Sequence, residues 1–209
     1  MTDPELSSIE RALRDQAPRA AEPEAERAAA RLAERADEAG LVEVAYDTVD
    51  TPVGRMLVAT TPRGLVRLEL PGQSFEQVLE DLAARVSPRL LELARRTDDV
   101  RRQLDEYFAG SRREFDLPLD WRLVRGEFAR RLLGNMTRVP YGEAITYTQA
   151  AAQAGSPRGS RAAGNALGSN PIPVIVPCHR VVRTGGAIGG YGGGPETKRF
   201  LLRHEGWLD

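Results

Sequence analysis

The sequence predicts an α+β protein: a small α/β N-terminal domain followed by a mainly helical, winged-helix-like domain that carries a helix-turn-helix. Three observations lead to this. Apolar and β-branched residues alternate or run together between 42 and 70, as strands do. From Phe75 onward, apolar side chains recur every three to four residues, as on one face of a helix. Beyond Trp121, two short helical stretches flank a Gly155-Ser156-Pro157 turn.

Residues 1–40 are rich in Ala, Glu and Arg, and read as helix around Ala20–Ala39. They contain almost no large apolar side chains, so a helix here buries little surface by itself. A charged tail, a solvent-exposed helix or a partner-binding arm, without a catalytic motif, is expected.

Residues 41–120 are read as a structural α/β domain. Val42-Glu43-Val44-Ala45-Tyr46 alternates, and Gly54–Thr60 and Gly64–Leu70 form two more runs split by Thr61-Pro62-Arg63-Gly64. Phe75, Val78, Leu79 and Leu82 then follow helical spacing, as do Val100, Leu104, Tyr107 and Phe108. No cluster of acids, histidines or glycines in this part suggests chemistry.

Residues 121–209 are different. Phe128, Leu132, Leu133 and Met136 share a helical face that Pro140-Tyr141-Gly142 ends. Thr146 can cap a helix running to about Ala154, and a second helix is expected from about Arg158 to Leu167. On spacing alone, any helical hairpin would look the same. Prolines 171, 173 and 177 bracket an apolar run, which predicts a rigid, extended segment leading into Cys178. A glycine-rich loop follows, and a last helix opens at Pro195 and stops at Gly206.

Charge is unevenly distributed. The chain has a formal net charge of -1, yet residues 121–209 hold 12 basic and 5 acidic side chains, while 17 basic and 25 acidic ones precede them. A basic C-terminal part suits a polyanion, although a solvated basic face would look alike. No apolar run approaches the ~20 residues needed to span a bilayer, and an acidic N-terminus argues against export, so a cytoplasmic protein is expected. One cysteine excludes an internal disulfide. With only two histidines, a structural zinc site of the usual kind is not expected. Cys178 is either inert core filler or a reagent.

Its surroundings favour the reagent. Pro177-Cys178-His179-Arg180-Val181 occurs in order with Pro140-Tyr141-Gly142-Glu143, Tyr147, Arg161, Gly164-Asn165-Ala166-Leu167, Asn170-Pro171, the Gly189–Gly193 loop and His204-Glu205-Gly206. This set resembles the O6-alkylguanine-DNA alkyltransferases, also called methylated-DNA–protein-cysteine methyltransferases. The resemblance is close over residues 125–206 and loose over 41–124. It implies a ribonuclease-H-like N-terminal domain and direct repair of O6-alkylguanine in double-stranded DNA. The alkyl group would pass irreversibly to Cys178, once per protein molecule, after the base is flipped through the minor groove.

By the same resemblance, His179 takes the thiol proton, through a water, and Glu205 orients it. Asn170 shapes the turn before the cysteine and supports the thiolate, and Tyr147 donates to N3 of the leaving guanine. Tyr191, Gly192, Gly193 and Val181 form the base site. Arg161 fills the vacated stack, with Thr146, Gly159, Ser160, Ala162 and Arg180 also on the DNA. The resemblance implies a monomer with neither metal nor organic cofactor and no membrane partner.

The sequence departs from the family pattern in several places. The 1–40 tail is additional. Leu133 replaces a frequent tryptophan, which affects packing rather than chemistry. Gly192 stands where some members have serine, so backbone N–H must serve O6 there. Gly159, expected inside the second helix, would cost on the order of 1 kcal/mol against alanine.

Three other readings remain to be weighed. A non-catalytic relative that only binds alkylated guanine would lack the cysteine. A cysteine hydrolase would leave the helix-turn-helix unexplained, and a regulator that senses alkylation would need further binding domains.

Overall fold

The computed structural model describes the backbone of residues 22–209 and the side chains of residues 27–209. The tail expectation for residues 1–21 lies outside the described residues. The chain divides into two compact units, one ending at Leu41 and one spanning Val42–Asp209. In the first, helix α1 covers Glu22–Glu38, closely matching the expected helix.

The second unit opens with β1 (Val44–Thr51), β2 (Gly54–Thr61) and β3 (Gly64–Glu69), followed by α2 (Phe75–Arg85) and β4 (Leu90–Glu92). The sheet order is β3-β2-β1-β4. Strands β1–β3 form an antiparallel meander, and β4 pairs parallel to β1. Strand β4 was not anticipated; its three residues are too few for a readable period.

Both faces of the sheet are covered, which explains the near-continuous apolar runs of β2 and β3. Leu57, Ala59 and Val66 pack on one side with Val78 and Leu82 of α2. Met56, Val58, Leu65 and Leu68 face the other way, into a core shared with α3 (Asp98–Phe108) and the C-terminal elements.

That shared core joins the two halves of the unit. Helix α4 (Glu127–Met136) contributes Leu132, Leu133 and Met136, each at most 1% exposed. Leu133 is plain core filling. Strand β5 (Ile145–Thr146) pairs parallel with β6 (Val181–Val182), tying the start of the helical hairpin to the residues just after the cysteine.

The hairpin consists of α5 (Tyr147–Gln153) and α6 (Ser160–Gly168). Thr146 caps α5 in a reciprocal capping box with Gln149, a device worth about 1 kcal/mol. Ala150, Ala151, Ala163 and Ala166 are buried, so α5 and α6 approach through small side chains. Gly159 lies outside the helix, at the N-cap of α6. The helix-interior penalty expected for it therefore does not apply. A Cβ there would sit 3.0 Å from Ser156 O and 2.5 Å from Ser156 Oγ, so a larger residue crowds the turn.

Helix α7 (Gly194–His204) closes the chain, with Pro195 in its first turn as expected. Among the described residues, no helix is long and apolar enough to cross a membrane.

Candidate active site

The segment before the cysteine differs from expectation. Residues 170–178 form a compact turn instead of an extended run. Val174 takes a positive φ of 70°, and Val176 N donates to Ile172 O at 2.9 Å. The prolines do make the segment stiff, but they punctuate a reversal. Asn170 fastens it: its Oδ1 accepts from Ile172 N at 3.0 Å and its Nδ2 donates to Val176 O at 2.8 Å.

The turn delivers Cys178 to the first position of a single 3-10 turn, Cys178–Arg180. The sulfur is buried, with Asn170 Nδ2 3.1 Å away. Burial pushes the thiol up. The Asn170 hydrogen bond, the Lys198 charge and the backbone N–H groups of Cys178 and His179 oppose that push without overcoming it. The resting group is therefore a thiol and needs a base.

His179 is fully buried, and its Nε2 lies 2.8 Å from Glu205 Oε1. Burial holds the imidazole below its ordinary value, against the Glu205 hydrogen bond that favours the cation. Burial also works against ionisation of Glu205, but hydrogen bonds from His179 and Arg180, with their charges, hold its carboxyl at about 2. A carboxylate only accepts, so the imidazole proton must sit on Nε2. Nδ1 then carries a lone pair, and among the described residues this buried atom has no hydrogen-bond partner. The arrangement yields a neutral base oriented by an acid.

Arg180 does not stand where the resemblance would put a DNA contact. It is 5% exposed. Its Nε donates to Glu205 Oε2 at 2.8 Å, its Nη2 to Oε1 at 2.9 Å and its Nη1 to Val139 O at 2.5 Å. The guanidinium is enclosed, since a buried carboxylate needs a matching cation, and a bidentate arginine provides it. A phosphate cannot displace that pairing without exposing the charge.

Two groups at the site carry no site role in the sequence reading. Lys198, the chain's only lysine, is 0% exposed and donates to Val181 O at 2.6 Å and Gly190 O at 3.3 Å. Burial lowers its pKa to about 8, although Cys178 favours the cation. It pins the glycine loop to β6. A lone lysine amid arginines was the available signal. Tyr107 of α3 donates its hydroxyl to Glu205 Oε1 at 2.7 Å, from the half expected to be structural only. Its helical spacing marked it as core, and nothing local marked the hydroxyl.

A pocket of about 260 Å³ opens on the sulfur, lined by Tyr147, Gly164, Leu167, Gly168, Gly190, Tyr191 and Gly192. Its walls thus come from α5, α6 and the glycine loop. The Tyr147 hydroxyl lies 3.5 Å from Gly190 O, and burial pushes the phenol up. Gly189, at φ +69°, lets the loop approach: a Cβ there would sit 2.9 Å from the Tyr147 hydroxyl. Tyr191 packs edge-on against His179, with ring centroids 6.3 Å apart. Val181 is buried and Gly193 closes against Leu70; neither lines this pocket.

Of the expected DNA-contacting residues, Ser160, Arg161 and Ala162 are exposed on the first turn of α6. Thr146 is committed to its capping box, and Gly159 to the turn.

The fold and site define a cysteine-nucleophile protein whose thiol pocket is walled by a helix-turn-helix. Residues 44–121 match the family described as 6-O-methylguanine DNA methyltransferase, ribonuclease-like domain. Residues 127–207 match 6-O-methylguanine DNA methyltransferase, DNA binding domain. The chain belongs to this methyltransferase family. It is 39% identical over 163 residues to the methylated-DNA–protein-cysteine methyltransferase of Mycolicibacterium paratuberculosis, covering 78% of this chain and 92% of that one. A constitutive methylated-DNA–protein-cysteine methyltransferase of Bacillus subtilis is 35% identical over 164 residues, covering 77% and 94%. A crystal structure of Mycobacterium tuberculosis OGT in complex with DNA aligns with a TM-score of 0.67 and 36% identity, covering 78% of this chain and 94% of that one.

Proposed function

We propose that this protein repairs O6-alkylguanine in DNA by moving the alkyl group onto Cys178. The observation that carries the reading is the buried relay, Cys178 beside a neutral His179 oriented by Glu205, at the floor of a pocket walled by the helix-turn-helix.

The chemistry follows from the groups present. The thiol proton passes to His179 Nδ1, through a water. The sulfur attacks the alkyl carbon, a C–S bond forms and the C–O6 bond breaks with its electron pair on guanine. Tyr147 offers a hydrogen bond to N3 as a neutral phenol, and the backbone at Tyr191 and Gly192 faces O6. A donor aimed at developing charge in a dry site is worth about 10²–10³ in rate. The thioether has no easy leaving group, so each molecule reacts once.

To reach the sulfur, the base must leave the duplex, at a cost of a few kcal/mol. The exposed first turn of α6 supports docking in the minor groove, with Arg161 in the vacated stack. The division of labour falls near residue 121, with residues 41–120 chiefly as scaffold, 121–209 carrying the reacting groups and 1–40 outside both. The protein acts as a cytoplasmic monomer on double-stranded DNA.

Cys178→Ser tests the assignment. It should abolish transfer and retain affinity for alkylated duplex; near wild-type transfer by this variant would refute it.

A further inference from the structure

Glu205 Oε1 has three close donors from two parts of the chain: Tyr107 Oη of α3 at 2.7 Å, and His179 Nε2 at 2.8 Å and Arg180 Nη2 at 2.9 Å from the 3-10 turn. Tyr107 is the only one of the three contributed by the N-terminal half. It is 0% exposed, and it is locked by edge contacts to Phe108, Tyr141 and His204 with ring centroids 5.0–6.1 Å apart. Its carbonyl also lies 2.7 Å from His204 Nε2, so the end of α3 is fastened to the end of α7 beside Glu205. We propose that Tyr107 is a positioning residue for alkyl transfer: its hydroxyl fixes Glu205 Oε1 and limits how strongly that oxygen holds the His179 proton. This makes the N-terminal half part of the transfer centre. The inference rests on the alkyl-transfer reading above.

The physical argument is competition for one oxygen. A third donor spreads the negative charge of Oε1 and weakens its attraction for an imidazolium. Without it, Glu205 would stabilise protonated His179 more strongly, and less of the neutral base would be present on the acid side of neutrality. A phenol suits this task because burial and the Glu205 charge push its ionisation upward, so it stays a donor at any working pH. The other titratable or charged groups facing the cluster are Arg180 and Cys178 in the 3-10 turn, Tyr141 before β5, Arg113 over the Tyr141 ring, Lys198 and His204 on α7, and Tyr191 in the glycine loop. None of them replaces a donor lost from Oε1.

The test is the pH dependence of single-turnover transfer from an O6-methylguanine duplex, with duplex affinity and melting temperature measured alongside. In Tyr107→Phe, transfer near pH 6 should slow by about tenfold, the size of one charge-assisted hydrogen bond. The acid limb should move to higher pH, with duplex affinity unchanged. Site-specific 3-fluorotyrosine at 107 keeps the hydroxyl and the packing but makes a stronger donor, so it should move the limb to lower pH. This substitution keeps the test decisive even if Tyr107→Phe folds poorly. With only two histidines, 15N-histidine spectra can follow the same shift at His179 directly. An acid limb in the wild-type position for both substitutions, whatever the absolute rates, would overturn the proposal. Absence of transfer by the wild-type protein would instead refute the underlying function.

Discussion

Asn170 Nδ2 lies 3.1 Å from the Cys178 sulfur while donating at 2.8 Å to Val176 O. One amide therefore closes the turn before the cysteine and faces the nucleophile. Asn170→Ala should slow transfer by about tenfold or more, since one hydrogen bond to a forming thiolate is lost. It should also raise the pH at which a small alkylating reagent modifies Cys178. The check is the pH profile of iodoacetamide labelling; an unchanged profile would separate Asn170 from the sulfur's ionisation.

Arg180→Ala removes the bidentate partner of a buried carboxylate. The expected result is a destabilised protein, by about 3–5 kcal/mol, with an unaltered salt dependence of DNA binding. If Arg180 touched phosphate, the slope of log affinity against log salt would fall by about 0.9. Binding titrations at several salt concentrations, below the variant's melting temperature, distinguish the two.

Acid should weaken the fold in two stages. His179 is held below its ordinary 6.5 by burial, so the unfolded chain binds that proton first and stability falls as pH drops below 6.5. Glu205 is held at about 2, below its ordinary 4.5, so its contribution is complete above 4.5 and disappears as pH falls towards 2. Denaturant midpoints for wild type and Glu205→Gln should differ by a constant amount above pH 5 and converge at lower pH. A gap that persists to pH 2 would contradict this.

The sequence shows more of which residues gather at the site than of how they are wired. Cys178, His179, Glu205, Asn170 and Tyr147 were readable because short ordered motifs carry them, and Thr146 because a capping box has a local signature. The path into Cys178 is not legible: three prolines suggest extension, but Val174 at positive φ and the Asn170 clamp reverse the chain. Arg180 was misplaced because an arginine beside a reactive cysteine looks the same whether it faces phosphate or a buried carboxylate 25 residues away. Tyr107 meets Glu205 across 98 positions, and no local period reports such a pair. Strand β4 was too short to see.

Arg161 is exposed at the second position of α6. Arg161→Ala should slow transfer from duplex DNA by at least tenfold more than transfer from free O6-benzylguanine, because a free base needs no flipping. Paired single-turnover rates on the two substrates are the check. Equal slowing on both would place Arg161 in structural support.

The most direct test of the central claim is intact-protein mass spectrometry, with peptide mapping, after mixing the protein with duplex DNA containing one O6-methylguanine. The account predicts a gain of one CH2 unit per protein molecule, located on Cys178, with one guanine restored for each protein consumed. Repeated turnover by protein whose Cys178 remains unmodified would contradict it.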